Sequence, residues 1–516
     1  MLNIEKEKVK LKVLPEENVT QIVFEEDIIV PDVKADIGNI IQVDSQVHIK
    51  SFSFNLNKLN YDGCIEYNIL YVSDEQEKTI NSIIGEIKIN DTLNMENIRH
   101  EDLTIEAEIE YFKHLVINSR KLNLKVVINM KIKSEKNIEK DIITSENDFE
   151  YQTLYEDIDF DVKSDSKSEK VFIKETIELP LNKPNVKDIL KCSMSLKNID
   201  FKPIDEKVVL KGNLSILVVY NNYENSVELI EYDIDISQTI DNVNCDESMI
   251  VDGKMDIQDK YIEVSSDENG DERIISIEMV AEAKFEIIAE EKKTVLKDIY
   301  GITKKIKPQK EIYNYDKIVF KNKNKSTIKD TFSIDKSDVI LQVYSIDGKI
   351  KTDNITVKKD AIVLEGHIDC KILYIVADDN IPIKSSSQIL YFVQTIDANG
   401  ADENMKVKLD ANIEHIAFNM ISKNELEVKA ILYFDAIVAE KKSQEFIVDI
   451  VESDDIDYMI YPSMIIYFVK TGDTLWNVSK RYNTTSKQIA ELNDIDNANL
   501  IYPGQKLIIL KNTNIA

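Results

Sequence analysis

Residues 465–510 read IIYFVKTGDTLWNVSKRYNTTSKQIAELNDIDNANLIYPGQKLIIL, and two periodicities within that stretch decide its fold. The opening residues alternate, with Ile466, Phe468 and Lys470 on one face of a strand and Tyr467 and Val469 on the other. The turn Thr471-Gly472-Asp473 follows. Thr474 or Asp473 then caps a helix whose Leu475, Val478 and Tyr482 build one face. A second helix opens with Thr485 and Gln488 in the T-x-x-Q spacing of a capping box and buries Ile489 and Leu492. Pro503-Gly504 supplies a turn with φ fixed at its first central position and positive at its second. Leu507 and Ile509 form a closing strand beside the first. The expected unit is βααβ.

The run GDTLW, then Arg481-Tyr482, Thr485, Leu492-Asn493 and IYPGQKL, resembles the LysM family along the whole module. LysM domains are small docking modules for proteins or glycans. The resemblance implies a groove with Gly472, Asp473, Thr474 and Leu475 on one side and Asp494, Ile495, Ile501 and Tyr502 on the other. Backbone groups there suit an acetamide, and apolar side chains suit its methyl group and the sugar face. Leu475 reads more readily as core than as a contact. Trp476, the only tryptophan, reads as a packing residue before a sugar platform. The sequence departs from the family at Asn497-Ala498, where Asn-Pro is usual, which loosens one rim without threatening the fold.

Upstream, one unit repeats three times. Gly63-Cys64-Ile65 leads to Tyr71, Gly212-Asn213-Leu214 to Tyr220, and Gly366-His367-Ile368 to Tyr374, with the same spacing and the same apolar positions between. A second element keeps that register: Val30, Pro31, Lys34, Asp36, Ile37, Ile40 and Ile41 match Leu179, Pro180, Lys183, Asn185, Val186, Ile189 and Leu190. The third copy keeps only an echo at Val339, Ile340 and Leu341. A third element closes each unit, with Leu122, Leu124, Val126 and Ile128 matching Leu426, Val428, Ala430 and Leu432. The middle copy offers Ile274, Ile275, Ile277 and Met279 after an inserted loop, Ser265 to Gly270.

These segments are rich in β-branched and other apolar residues at strand length. Each glycine fits a bulge or tight bend where a side chain would not. The segment after Pro31, with Val33, Ile37, Ile40 and Ile41, fits a short amphipathic helix. The expected fold class is mainly β and multi-domain: three β-rich repeat units with short helices, plus the small C-terminal βααβ domain. Expected boundaries are 15–135, 165–300, 328–450 (with a divergent start) and 464–511. Charge shifts mark expected linkers: the acidic stretch from Glu146, Asp148 and Glu150 to Asp161 with the polar run Ser164 to Ser168, the basic stretch 304–329, and Glu452 to Asp457.

A chain of 516 residues is too long for one core and suggests roughly three or four domains. With 64 basic against 94 acidic residues the net charge is −30, which opposes binding to nucleic acid or anionic membranes. One basic run interrupts it, Lys304 to Lys329. It carries no aromatic stacking pattern and reads as a solvated interdomain segment. The N-terminus, MLNIEKEKVKLKVLPEENV, has no continuous apolar core, so a signal peptide is not expected. No window approaches the ~18 apolar residues that span a bilayer.

Cys64, Cys192, Cys245 and Cys370 are widely spaced without a CxxC pair, which suits a reducing compartment and argues against a zinc site or disulfide scaffold. Cys64 and Cys370 lie in strand-like segments and read as small buried hydrophobes. His48, His100, His114, His367 and His415 fall in different elements and form no HExxH or HxH pair. There is no GxxxxGK[ST], GxGxxG or GxSxG. The expectation is no catalytic site, no metal and no cofactor.

The P-x-x-K-x-[DN]-[IV] element and the glycine-to-tyrosine strand in tandem, followed by one LysM module, resemble the spore coat family that carries SPOCS domains. That resemblance implies a cytoplasmic scaffold on the mother-cell side of the forespore surface. Its partner would be the coat morphogenetic ATPase, bound through the LysM module. The alternative is a protein of the wall or spore cortex that binds peptidoglycan or N-acetylglucosamine oligomers (chitooligosaccharide).

Overall fold

A computed structural model describes residues 4–510 apart from 56, 76–77, 96–102, 135–137, 147–150, 336–337, 378–382, 458, 460–461 and 498–499. His100, Asp148, Glu150, Ala498 and the expected boundary positions 135 and 511 lie outside the described residues. The first repeat comprises β1 (Ile4–Leu11), β2 (Glu16–Ile29), β3 (Ile37–Asn55), β4 (Lys58–Ser73), β5 (Ile80–Asn94), β6 (Leu103–Asn118), β7 (Lys121–Ser134) and β8 (Ile138–Glu146). The second comprises β9 (Tyr151–Glu178), β10 (Asp188–Ile204), β11 (Lys207–Asn221), β12 (Val227–Asp241), β13 (Ile250–Ser266) and β14 (Glu272–Gly301). The third comprises β15 (Lys304–Ser333), β16 (Ile340–Lys358), β17 (Ala361–Val376), β18 (Ile383–Asp397), β19 (Lys406–Met420) and β20 (Glu425–Asp455). The C-terminal module has β21 (Met464–Phe468), α1 (Leu475–Arg481), α2 (Ser486–Leu492) and β22 (Lys506–Leu510).

Each repeat is a sandwich of two antiparallel three-stranded sheets: β3-β4-β5 on β2-β7-β6, β10-β11-β12 on β9-β14-β13, and β16-β17-β18 on β15-β20-β19. Alternation makes this possible, because every second side chain points to one face. Leu122, Leu124, Val126 and Ile128 meet Ile65, Ile69 and Tyr71 in the first core. Ile275, Ile277 and Met279 meet Leu214, Ile216 and Tyr220 in the second. Leu426, Val428 and Leu432 meet Ile368, Cys370 and Tyr374 in the third. The mainly β class expected from the sequence is the class observed.

The short helix expected after Pro31 is absent: residues 31–36 form a turn, closed by Lys34 N–H donating to the Pro31 carbonyl at 2.9 Å, and Ile37 already begins β3. The reason is a side chain distant in sequence. The Arg120 guanidinium donates to the carbonyls of Val30 (3.1 Å), Pro31 (3.1 Å) and Lys34 (2.8 Å) and to Asp36 (3.0 Å), so those carbonyls face inward to one cation instead of along a helix axis. Arg273 does the same in the second repeat, donating to Leu179 (3.0 Å), Pro180 (2.8 Å) and Lys183 (2.9 Å). The tyrosine ending each glycine-to-tyrosine strand completes the grip: Tyr71 donates to Ala35 O at 2.7 Å and Tyr220 to Pro184 O at 3.0 Å. Burial pushes both phenols up to about 12, which keeps them donors at any ordinary pH. In the third repeat, whose turn has diverged, Tyr374 donates to the Asp338 carboxylate at 3.1 Å, and Asn424 stands where the arginine was.

The glycines mark close approaches. An added Cβ would overlap the backbone oxygen of His48 at Gly63 and of Lys351 at Gly366, but would meet mainly the end of the Ile199 side chain at Gly212. The bulge lies on the neighbouring strand, between Ile49 and Ser51, Lys197 and Asp200, and Thr352 and Asn354.

Among the described residues, the segments expected to be linkers are mostly strands: they fall in β8, β9, β15 and the end of β20. β9 and β14 run on beyond the second sandwich as a two-stranded ribbon, as do β15 and β20, and β1 with β8 forms the equivalent ribbon of the first repeat. Their apolar residues pack together, Leu11, Phe160, Tyr315 and Phe446 in one cluster and Ile143, Leu296, Ile299 and Ile450 in the next. The lysines of β15 are not a free basic patch. Lys304 pairs with Glu452, Lys310 with Glu445, Lys317 with Asp161 and Glu290, and Lys325 with Glu414.

The three repeats close into a ring. Ser82 of the first donates to Ile189 O of the second at 3.4 Å. Tyr344 of the third donates to Val227 O of the second at 2.7 Å, and Ser385 of the third to Ile41 O of the first at 2.6 Å. Apolar residues of all three, among them Leu70, Val219 and Leu373, share one cluster at this junction. Beside it Lys191 bonds Asp44 at 2.8 Å and also Asp347, while Lys371 bonds Asp44 at 3.0 Å. Burial pushes the Asp44 carboxyl up, but Lys191 and Lys371 outweigh it and hold it down at about 2.

Gly63→Ala and Gly366→Ala should each cost about 1–3 kcal/mol by overpacking, and Gly212→Ala less, read as shifts in urea unfolding midpoint. A carboxyl held below its unfolded value of about 3.9 stabilises above that pH and loses its contribution as pH falls toward about 2. Acid unfolding of Asp44→Asn should therefore show a shallower loss of stability over that window than the parent chain. An unchanged slope would mean Asp44 takes no part in closure.

Candidate functional site

The C-terminal module folds as its periodicities require. β21 and β22 pair antiparallel, Tyr467 opposite Leu507. Of the two candidate caps for α1 it is Thr474 whose hydroxyl accepts from Asn477 N–H at 3.1 Å. Asp473 instead accepts from Lys470 N–H (2.8 Å) and the Tyr467 hydroxyl (2.6 Å), and these two hold its carboxyl below the usual range. Arg481 donates to the same Tyr467 oxygen at 2.8 Å. Thr485 and Gln488 complete a capping box on α2. Gly504 takes φ +88° in the Pro503-Gly504 turn.

Tyr467, Val469, Leu475, Val478, Ile489, Leu507 and Ile509 form the module's own core. Leu492 does not join it and is 39% exposed, because α2 ends there and turns its last residue to solvent. Asn493 ties the end of α2 to β22: its amide donates to Ile489 O (2.7 Å) and Ile508 O (2.8 Å) and accepts from Ile508 N–H (2.6 Å).

Of the groove residues, Gly472, Thr474, Asp494 and Tyr502 are exposed and Asp473 is half-buried. Leu475 is 2% exposed and belongs to the core; Ile495 and Ile501 pack partly buried against that same core. Residues from both expected sides of the groove, Leu475 from one and Ile495 and Ile501 from the other, thus share one apolar cluster. Gly472 and Asp494 both take positive φ, +87° and +50°, in the turns that flank them.

Trp476 packs outside the module. Its ring meets the ring of Tyr300 edge-on at 4.9 Å, and its indole N–H donates to Asp298 Oδ2 at 2.8 Å. Lys480 pairs with Asp298 at 2.5 Å. Asn483 donates to Gly301 O at 3.2 Å, and the Tyr300 hydroxyl lies 2.8 Å from both Ser479 Oγ and Thr484 O. Nothing in the sequence patterns singled out Asp298 and Tyr300, because they lie beyond the repeated elements at the end of β14.

The SipL, SPOCS domain family matches residues 36–117, 185–265 and 339–421, and the LysM domain family matches 467–510. The chain is a SPOCS-repeat protein with a C-terminal LysM domain. No curated protein and no solved structure matches it. The SPOCS matches span β3 to β6 and their counterparts, so β2 and β7, which complete the second sheet of the sandwich, lie outside the matched segment. SPOCS and LysM are non-catalytic binding domains, and their combination marks a sporulation-related adaptor carrying a LysM module.

Among the described residues, no group of three or more His, Cys, Asp or Glu side chains is placed to hold a metal ion, and no helix is long and apolar enough to cross a membrane. The four cysteines are free thiols, and burial pushes Cys370 up to about 12 and Cys192 to about 11.

Asn493→Ala should destabilise the module by about 1–3 kcal/mol, because Ile508 N–H and two carbonyls lose their partner. Faster amide exchange at Ile508, with the repeats unaffected, is the expected reading.

Proposed function

We propose that this chain is a non-enzymatic scaffold of spore coat assembly whose LysM domain docks the coat morphogenetic ATPase on the mother-cell side of the forespore surface. The observation that carries the reading is the union of three SPOCS repeats and a single LysM domain in one chain. The closed ring supports it, since three similar sandwiches held at fixed spacing can raise avidity by about 10²–10⁴ without new kinds of contact. The docking residues proposed are the groove rims: Gly472, Asp473 and Thr474 facing Asp494, Ile495, Ile501 and Tyr502, with Leu475 bracing them from below.

A second reading is supported by the LysM match and by Tyr502, which is 63% exposed. An exposed aromatic beside backbone donors suits the face of an N-acetylated sugar. On that reading the protein binds peptidoglycan or chitooligosaccharide in the wall or spore cortex.

A fluorescent fusion followed through sporulation, beside titration of the full chain with N-acetylglucosamine tetramer, separates the two. The scaffold predicts a fluorescent ring around the forespore, abolished by Thr474→Arg with Tyr502→Ala, and weak or absent glycan binding. Uniform labelling of the wall together with saturable glycan binding would overturn it.

A further inference from the structure

We propose that the LysM domain is clasped, not merely tethered, to the second repeat. Asp298 and Tyr300 grip the outer face of α1, so any ligand reaching Trp476 must first open that clasp. The contact has the character of a built seat. Tyr300 is 4% exposed, and its hydroxyl is satisfied by Ser479 and Thr484, both from the LysM domain. Asp298 uses one oxygen for the Trp476 indole and the other for Lys480. Burial pushes the Asp298 carboxyl up, yet Lys480 and Trp476 outweigh it and leave it lowered, so it stands as a charged acceptor at neutral pH.

The seat belongs to neither domain family. Asp298, Tyr300 and Gly301 lie outside every matched segment, on the ribbon that prolongs the second sandwich. It is also particular to that ribbon. A bulge falls between Leu296 and Asp298 in β14, and the pairing of β15 with β20 shifts in the same way around Val448, which places Asp449 and Val451 at the positions of Asp298 and Tyr300. Val451 is 41% exposed, and Asp449 pairs with Lys6 at the surface. The same backbone in another ribbon therefore carries no seat.

The chain between β20 and β21 can span up to about 28 Å when extended, which leaves room for the module to lift away. While seated, the module turns Trp476 and Ser479 of α1 onto the second ribbon, and Gly472, Thr474, Asp494 and Tyr502 stay exposed. The clasp thus decides which LysM surface meets a partner first.

Trp476, being the only tryptophan, reports the clasp directly in the full chain. Asp298→Ala, and separately the milder Tyr300→Phe, should shift its emission to the red, raise its quenching by acrylamide and speed proteolytic cleavage between residues 456 and 463. Amide exchange at Ile508 should stay slow, which shows the LysM domain itself still folded. Asp449→Ala, at the matching place on the third ribbon, should leave the emission unchanged. Equal emission and quenching in the parent chain and both seat variants would overturn the clasp, as would a red, freely quenched Trp476 in the parent chain.

Discussion

Lys191 holds the three repeats in one arrangement. Its side chain is only 6% exposed, and its ammonium lies between Asp44 of the first repeat and Asp347 of the third. Burial pulls that ammonium down, and the two carboxylates outweigh burial and keep it charged. An ion pair of this kind adds little net stability over an apolar contact, but removing the carboxylates would leave the buried Lys191 ammonium uncompensated. The surrounding apolar cluster attracts without direction. The charges supply the direction, and they tolerate only the arrangement in which all three repeats meet at this point.

Closure sets the positions of the rest. Once the sandwiches meet, their ribbons run together and bury Phe160, Tyr315 and Phe446 against one another. The end of the second ribbon then presents Asp298 and Tyr300 where the LysM helix lands. The module that looks like an independent appendage is thus seated on the ribbon of a different domain. While the module is seated, the LysM domain and the repeats are presented in one relation, and pre-arrangement of that kind lowers the ordering cost of binding a large partner.

Much of the repeat was legible from spacing. The glycine-to-tyrosine interval and the P-x-x-K turn recur together because the tyrosine hydroxyl closes on the turn's carbonyls. The inward rows Leu122 to Ile128 and Leu426 to Leu432 alternate as buried strands must. The helix after Pro31 was misread because a turn whose carbonyls are held by a remote cation carries apolar residues at spacings that also suit a helical face. Arg120 and Arg273 left no periodic signal, since each is one residue in a hairpin. The charged stretches read as linkers for a related reason: on a ribbon strand one face is ion-paired and exposed, so composition alone resembles a linker.

The sequence by itself determined the local units: the LysM fold with its capping box and Pro-Gly turn, the existence of three related β repeats, and the apolar rows of the glycine-to-tyrosine and closing strands. These depend on neighbours within a few residues or on period-two alternation, and both are written along the chain. The tertiary structure alone decided that the repeats close into a ring, that most of the supposed linkers are paired strands, and that the ring Trp476 packs against is Tyr300 of the second repeat. Those outcomes rest on partners far apart in sequence, Lys191 with Asp347 or Trp476 with Asp298, whose meeting depends on the path of every strand between them.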